Sequence, residues 1–332
     1  MPLAASLFLV CLVASLGSSF VLARALDRIG VRLGLTDAVI GMLTAVGADA
    51  PEVSTAAAAV LTKHDDIGVG VVLGSNVVNL AALLGIGALL AGRVHLGRRA
   101  AMLEGATAIA VAAFAVPVAA GWIGPIPALA LCACVLVPYV WLAAQRAADI
   151  THGERVTGLR RRIARAVAEE QRAARSDHHE RPATRGDLLV VAPAVALVIG
   201  ASVGMVHAAV EIGHHFSISG AVMGTLVLAG LTSIPNAVAA VRLALHHRSS
   251  AVVSEAFNSN SMNIVAGLLL PAALLGGVAG SAAGRLSAVW ALAMTMAVVA
   301  MLLRRRGMRR PEAVLVIGSY LAFAAVLIHV GQ

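Results

Sequence analysis

Two acidic residues, Asp49 and Glu52, stand three apart in an otherwise apolar stretch, a spacing that puts both carboxylates on one face of a helix. In a medium of low dielectric two such groups repel unless a cation or a proton lies between them. A charge at the middle of a bilayer also costs at least about 2.5–3.5 kcal/mol on insertion scales, so the pair marks a site that holds something positive. A second stretch offers Thr232, Ser233 and Asn236, and two further segments offer Ser75 with Asn79 and Ser259 with Asn263. All of these groups present oxygen. Hard cations such as Ca2+ take about six to eight oxygens from carboxylate, carbonyl, amide and water, whereas Na+ is met by fewer and weaker ones. The soft sulfur and nitrogen ligands of a zinc or copper site do not accompany them.

The elements that must position these groups follow from composition. The chain has 332 residues, 59% hydrophobic, 13% charged and 3% aromatic, with a mean hydropathy of +0.89. Soluble domains are about 45–50% apolar and about 25% charged, so a water-soluble enzyme, a disordered chain and a disulfide scaffold are all excluded. Cys11, Cys132 and Cys134 lie in apolar runs and read as small core side chains. Apolar stretches cover residues 3–23, 36–62, 67–92, 101–120, 122–144, 187–212, 217–245, 251–279, 283–303 and 312–330, and a crossing helix needs about 20 residues. Backbone groups in lipid pair within their own segment, which makes helices the default. The expected fold is an all-α polytopic membrane protein, with ten transmembrane helices as two inverted five-helix repeats. The first repeat covers 1–145 and the second 187–332, joined by an Arg-rich linker over 146–186.

The formal charge of +8 invites a nucleic-acid reading, but the placement of the basic residues points elsewhere. Of the 25 Lys and Arg residues, 23 fall in or beside connections that share one face of such a topology, leaving Lys63 and Arg285 for the other. Positive charge concentrates in cytoplasmic loops. The linker is therefore expected in the cytoplasm of a cell-membrane protein, with both termini outside and no nucleic-acid partner. The first span carries its positive charges after the apolar run rather than before it, unlike a cleaved signal peptide.

A shift of 184 residues lays the chain on itself without a gap. Pro51 falls on Pro235, Ser75 on Ser259, Asn76 on Asn260 and Asn79 on Asn263, while Gly47–Glu52 falls on Leu231–Asn236. The copies, at about 37–88 and 219–272, are five spans apart, so the second enters the membrane from the opposite side, as in many secondary transporters. Each carries a mid-span proline, which removes a helical hydrogen bond and leaves carbonyls open at bilayer depth.

These motifs resemble the sodium/calcium exchanger family, part of the cation/Ca2+ exchanger superfamily with paired alpha repeats. The family pattern Gly-Thr-Ser-x-Pro-Glu, then Gly-Asn-x-x-Gly-Ser-Asn-x-x-Asn/Asp, is similar to Gly47–Glu52 and Gly70–Asn79, and again to Thr232–Pro235 and Asn258–Asn263. The resemblance implies alternating access at one central site. It makes Glu52 the principal cation ligand, with Ser75 and Asn79 beside it and Thr232, Ser233, Ser259 and Asn263 facing it. The chain departs from the pattern at Ala48 and Asp49, and at Asn236, where the second glutamate would stand. Either Asp49 replaces that acid and divalent binding survives, or Asp49 carries a proton and the site suits a monovalent ion or H+ coupling.

The function these readings support is a secondary cation antiporter, exchanging Ca2+ or a related cation against Na+ or H+, with no cofactor and no enzymatic chemistry. A transport-inactive member acting as a membrane receptor or assembly subunit is the alternative. An intramembrane hydrolase would need paired aspartates or a Ser/His arrangement, and Asp49 and Glu52 adjoin a proline break without either. Glu255, four residues before Ser259, reads either as a third acid or as a group reaching interfacial water, while Glu104, Glu211, His64, His214, His215, His246 and His247 read as interfacial.

Overall fold

The computed structural model describes residues 1–35, 37–144, 184–246, 248–276, 281–305 and 307–331. The first half contains α1 (Pro2–Arg32), α2 (Asp37–Ala48), α3 (Ala50–Leu61), α4 (Asp65–Ala91), β1 (Arg93–Val94), α5 (Arg98–Ala119) and α6 (Pro125–Ala144). The second contains α7 (Arg185–Phe216), α8 (Gly220–Thr232), α9 (Ile234–Leu245), α10 (249–275), α11 (Ala282–Arg305), β2 (Met308–Arg309) and α12 (Arg310–Val330). The linker expected over 146–186 lies outside the described residues apart from Thr184, Arg185 and Gly186, as do His247, residue 36 and residues 277–279 at the ends of two expected spans.

Among the described residues seven helices, α1, α4, α5, α6, α7, α11 and α12, are long and apolar enough to cross a membrane, and the pair α8 and α9, bent by 43° at its junction, adds an eighth if it is one span. This is a multi-pass membrane protein. The helices outside that set, α2 with α3 and α10, carry Asp49, Glu52, Glu255 and a run of Ser and Asn that dilutes their apolar character. Helix α1 runs past its expected end at residue 23 to Arg32. At 31 residues it is about 46 Å long, more than the ~30 Å hydrocarbon core.

Helix α4 lies at the centre, with 89% of its apolar window buried against 22% for α6 and for α12. Helices α3, α8, α10 and α11 pack around it, and α1 runs along α7 on the outside. Outward-facing Leu9, Val13, Leu189 and Leu321 are 59–75% exposed, the surface that a polytopic bundle turns to lipid. Helices α4 and α8 touch backbone to backbone. A Cβ added at Gly70 would fall 2.7 Å from Thr225 Oγ1, and one at Gly74 would strike the Thr225 backbone. Small residues at a crossing let helices approach in lipid, where no hydrophobic drive holds them together.

The short antiparallel ladder of β1 and β2, with Arg93 opposite Arg309, brings the exits of α4 and α11 together. Ser249 Oγ, at the start of α10, meets His95 Nδ1 of the same region at 2.8 Å. Arg28 Nη1 donates to Asp187 Oδ1 at 3.0 Å, tying the exit of α1 to the start of α7. A capping box between Thr184 and Asp187 fixes that start. Elsewhere, Lys63–Ile67 line a cleft of about 390 Å3 with His214 and Gly220, where α3, α4, α7 and α8 meet.

Candidate cation site

Helices α2 and α3 are interrupted at Asp49 (φ −79°, ψ −7°), and α8 and α9 at Ser233 (φ −77°, ψ 0°). The two breaks are related by the shift of 184. Both residues sit near the sparsely populated region around ψ 0° where many functional residues are found. Pro51 and Pro235 fall in the first turns of α3 and α9, where a missing N–H costs least. Having no N–H, they leave the carbonyls of Gly47 and Leu231 without an α-helical donor.

The breaks cross and bond each other reciprocally. Ser233 Oγ donates to Glu52 Oε1 at 2.7 Å, and Asn236 Nδ2 donates to Asp49 Oδ1 at 2.6 Å. Each interrupting residue thus meets the residue three positions on in the other repeat. Asn236 Nδ2 also reaches Glu52 Oε1 at 3.4 Å and Ser259 Oγ at 3.3 Å, and Ser259 Oγ donates to Asp49 Oδ1 at 2.7 Å. Asn79 Nδ2 donates to Ser259 Oγ at 3.0 Å. Asp49, Glu52, Asn79, Ser233, Asn236 and Ser259 form one cluster, each at most 1% exposed.

Of the other expected ligands, Ser75 and Asn263 are fully buried, and Ser75 Oγ and both polar atoms of Asn263 have no hydrogen-bond partner. Thr232 is also fully buried but turns its hydroxyl back on its own helix, donating to the Leu228 carbonyl at 2.8 Å. Asp49 Oδ2 and Asn79 Oδ1 are buried without a partner as well. Native interiors pair nearly all such groups; here Asp49 Oδ2 and Asn79 Oδ1 belong to the cluster itself, and among the described residues no ion pair is shown for Asp49 or Glu52. A small cation has the chemistry that would satisfy such acceptors. Among the described residues there is no group of three or more His, Cys, Asp or Glu that could hold a metal, so the donor set is two carboxylates plus neutral oxygens.

Two asparagines outside the expected ligand set, Asn76 and Asn260, belong to this neighbourhood. Asn76 Nδ2 donates to the Asn260 carbonyl at 3.1 Å and Asn260 Nδ2 to the Asn76 carbonyl at 3.0 Å, a symmetric clasp between α4 and α10. Their coincidence under the 184-residue shift was the available signal. Just beyond, the backbone widens into π-type turns at Leu80–Ile86 and Asn263–Leu269, which nearly match under the same shift. Such turns recur at functional sites.

Glu104 corrects an expectation: it is 1% exposed and accepts from Ser254 Oγ at 2.9 Å instead of reaching the interface. The cysteines differ among themselves, Cys132 being buried and Cys134 exposed. Glu211, His214, His215 and His246 are exposed, and His64 is partly buried.

The fold and the cluster together define a class: a polytopic helical membrane protein whose two broken helices cross at a buried, acidic, oxygen-lined centre. A family model described as sodium/calcium exchanger protein matches residues 3–144 and 187–329, and the chain belongs to that family. It is 26% identical over 297 residues to CaxA, an antiporter candidate of Alkalimonas amylolytica, covering 86% of this chain and 85% of that one. Its fold is similar to the crystal structure of the H+/Ca2+ exchanger CAX, with a TM-score of 0.71 at 14% identity over 99% of this chain and 86% of that chain. It is also similar to the sodium–calcium exchanger NCX_Mj, with a TM-score of 0.61 at 17% identity over 97% and 98% of the two chains.

Proposed function

We propose that the protein is a secondary cation antiporter that carries Ca2+ or a related cation in exchange for Na+ or H+ by alternating access at the Asp49–Glu52 cluster. The observation that carries this reading is the cluster itself: two buried carboxylates with no basic partner shown among the described residues, bonded across the two repeats, with Asp49 Oδ2 and Asn79 Oδ1 left unpaired. In this reading α2 with α3, and α8 with α9, each form one broken crossing, so that with α10 the chain makes ten crossings as two inverted five-helix repeats. The Arg-rich end faces the cytoplasm and both termini lie outside. The relatives named for H+/Ca2+ and sodium–calcium exchange support the substrate class. No cofactor and no covalent step enter: the protein supplies a site of charge about −2, shielded from water, and two ways to reach it.

Each bound ion gives up hydration for carboxylate and neutral oxygens, and an empty pair of carboxylates repels itself, so return without a counter-ion is disfavoured. That is the coupling device. Reconstitution into liposomes with imposed Na+ or pH gradients, following radiolabelled Ca2+ and related cations, tests the reading. Gradient-driven flux that Glu52→Gln abolishes is expected, whereas no flux of any cation under any gradient would return the protein to a receptor or assembly role.

A further inference from the structure

Glu255 is a carboxylate outside the hydrogen-bonded cluster. It stands on α10 one turn before Ser259, the hydroxyl that donates to Asp49 at 2.7 Å, so about 6 Å of helix rise separates the two residues. The displacement runs toward Ser249 and the Arg93–Arg309 ladder. The side chain is partly buried, and its Oε2 is sealed from solvent without a hydrogen-bond partner. Asp49 lies within electrostatic reach on the site side and Arg248 towards the helix start, while the adjacent Ser254 is engaged on Glu104. Under the 184-residue shift, the place of Glu255 in the first repeat is taken by Val71 on α4, which is fully buried. One turn from the cluster, α10 thus carries a carboxylate where α4 carries an apolar side chain, and the acids of the Lys63 end, Asp65 and Asp66, stand further out in the first turn of α4.

We propose that Glu255 is a one-sided cation relay: a divalent cation moving between the Asp49–Glu52 cluster and the Arg-rich end of the bundle is held in passing by this carboxylate, with no counterpart at the equivalent position, Val71, on the Lys63 side. The inference rests on the antiporter reading above. A carboxylate one turn from the cluster lets the ion leave two acids without being stripped of every negative partner, a step that is otherwise expensive in a low dielectric. Sites in series that are each attractive but weak also let an ion enter and leave.

The test is the sidedness of transport in oriented proteoliposomes, with initial Ca2+ rates measured from each face for the unsubstituted protein, E255Q and E255D. For E255Q, the KM for Ca2+ offered at the Arg-rich face should rise about tenfold, and the KM from the Lys63 face should stay within about twofold, with the saturated rate kept. E255D, which keeps the charge, should restore most of the affinity, and E255N serves as a second neutral variant should E255Q fail to fold. A KM that changes equally at both faces, or at neither, overturns the relay while leaving the antiporter reading intact. Absence of flux in the unsubstituted protein overturns both.

Discussion

Moving the second acid back across the site is the sharpest perturbation the geometry allows. Asn236 Nδ2 and Asp49 Oδ1 are 2.6 Å apart, so exchanging the two side chains as Asp49→Asn with Asn236→Asp relocates a charge by about one hydrogen-bond length. Asp49→Asn alone removes the charged acceptor for Ser259 and Asn236, bonds of about 1.5–3 kcal/mol each, and halves the negative charge offered to the ion. Unit charges about 4 Å apart interact by about 4 kcal/mol at an effective dielectric of 20. Offset by the hydration the ion recovers, a net loss of about 3 kcal/mol is expected, or about 100-fold in divalent affinity, as severe as for Glu52→Gln. The double variant should return to within about tenfold of the parent, a strong coupling in a double-mutant cycle. Equilibrium binding of radiolabelled Ca2+ to purified protein reads all of these variants. Unchanged affinity in Asp49→Asn would remove Asp49 from the ion's ligands, and a double variant as weak as the single would show that position, not charge, is what matters.

Three other perturbations follow from the packing. Gly74→Ala places a methyl group against the Thr225 backbone and should destabilise the α4–α8 crossing by about 1–3 kcal/mol, seen as a lower melting temperature in detergent; an unchanged Tm would mean that the helices do not pass this closely. Asn76→Ala or Asn260→Ala breaks one arm of the symmetric clasp, although the opposite carbonyl keeps a backbone N–H of its own helix. Each should cost about 0.5–1.5 kcal/mol, with the double variant costing less than the sum of the two in a thermal-stability cycle. In a background lacking Cys11, Cys132 and Cys134, a cysteine replacing Arg310 should react with impermeant thiol reagents only from the cytoplasm and one replacing Asp66 only from outside; the reverse pattern would invert the assigned orientation.

The sequence was most legible where physics acts locally. The mid-span prolines and the 184-residue repeat located both breaks, although the interruptions themselves fall at Asp49 and Ser233, two residues before each proline. The oxygen-bearing residues Asp49, Glu52, Ser233 and Asn236 at the two breaks do converge, bonding across the 184-residue repeat. What could not be read was direction around a helix axis. Glu104 was expected at the interface because its position along the chain is near a span end, yet helix α5 begins at Arg98 and turns Glu104 inward to Ser254. Thr232 has the right type and register, but its hydroxyl finds the Leu228 carbonyl of its own helix, a local competitor that spacing does not reveal. The π-type turns leave no compositional mark, since they arise from packing, and the Asn76–Asn260 clasp is a tertiary contact visible beforehand only as a coincidence between copies.

Anomalous diffraction from crystals grown with a heavy divalent cation that stands in for Ca2+ tests the central claim most directly. A single strong peak is predicted among Asp49, Glu52, Ser233 and Ser259, lost in Glu52→Gln crystals grown the same way. A peak elsewhere in the bundle with none between the two breaks would contradict the account.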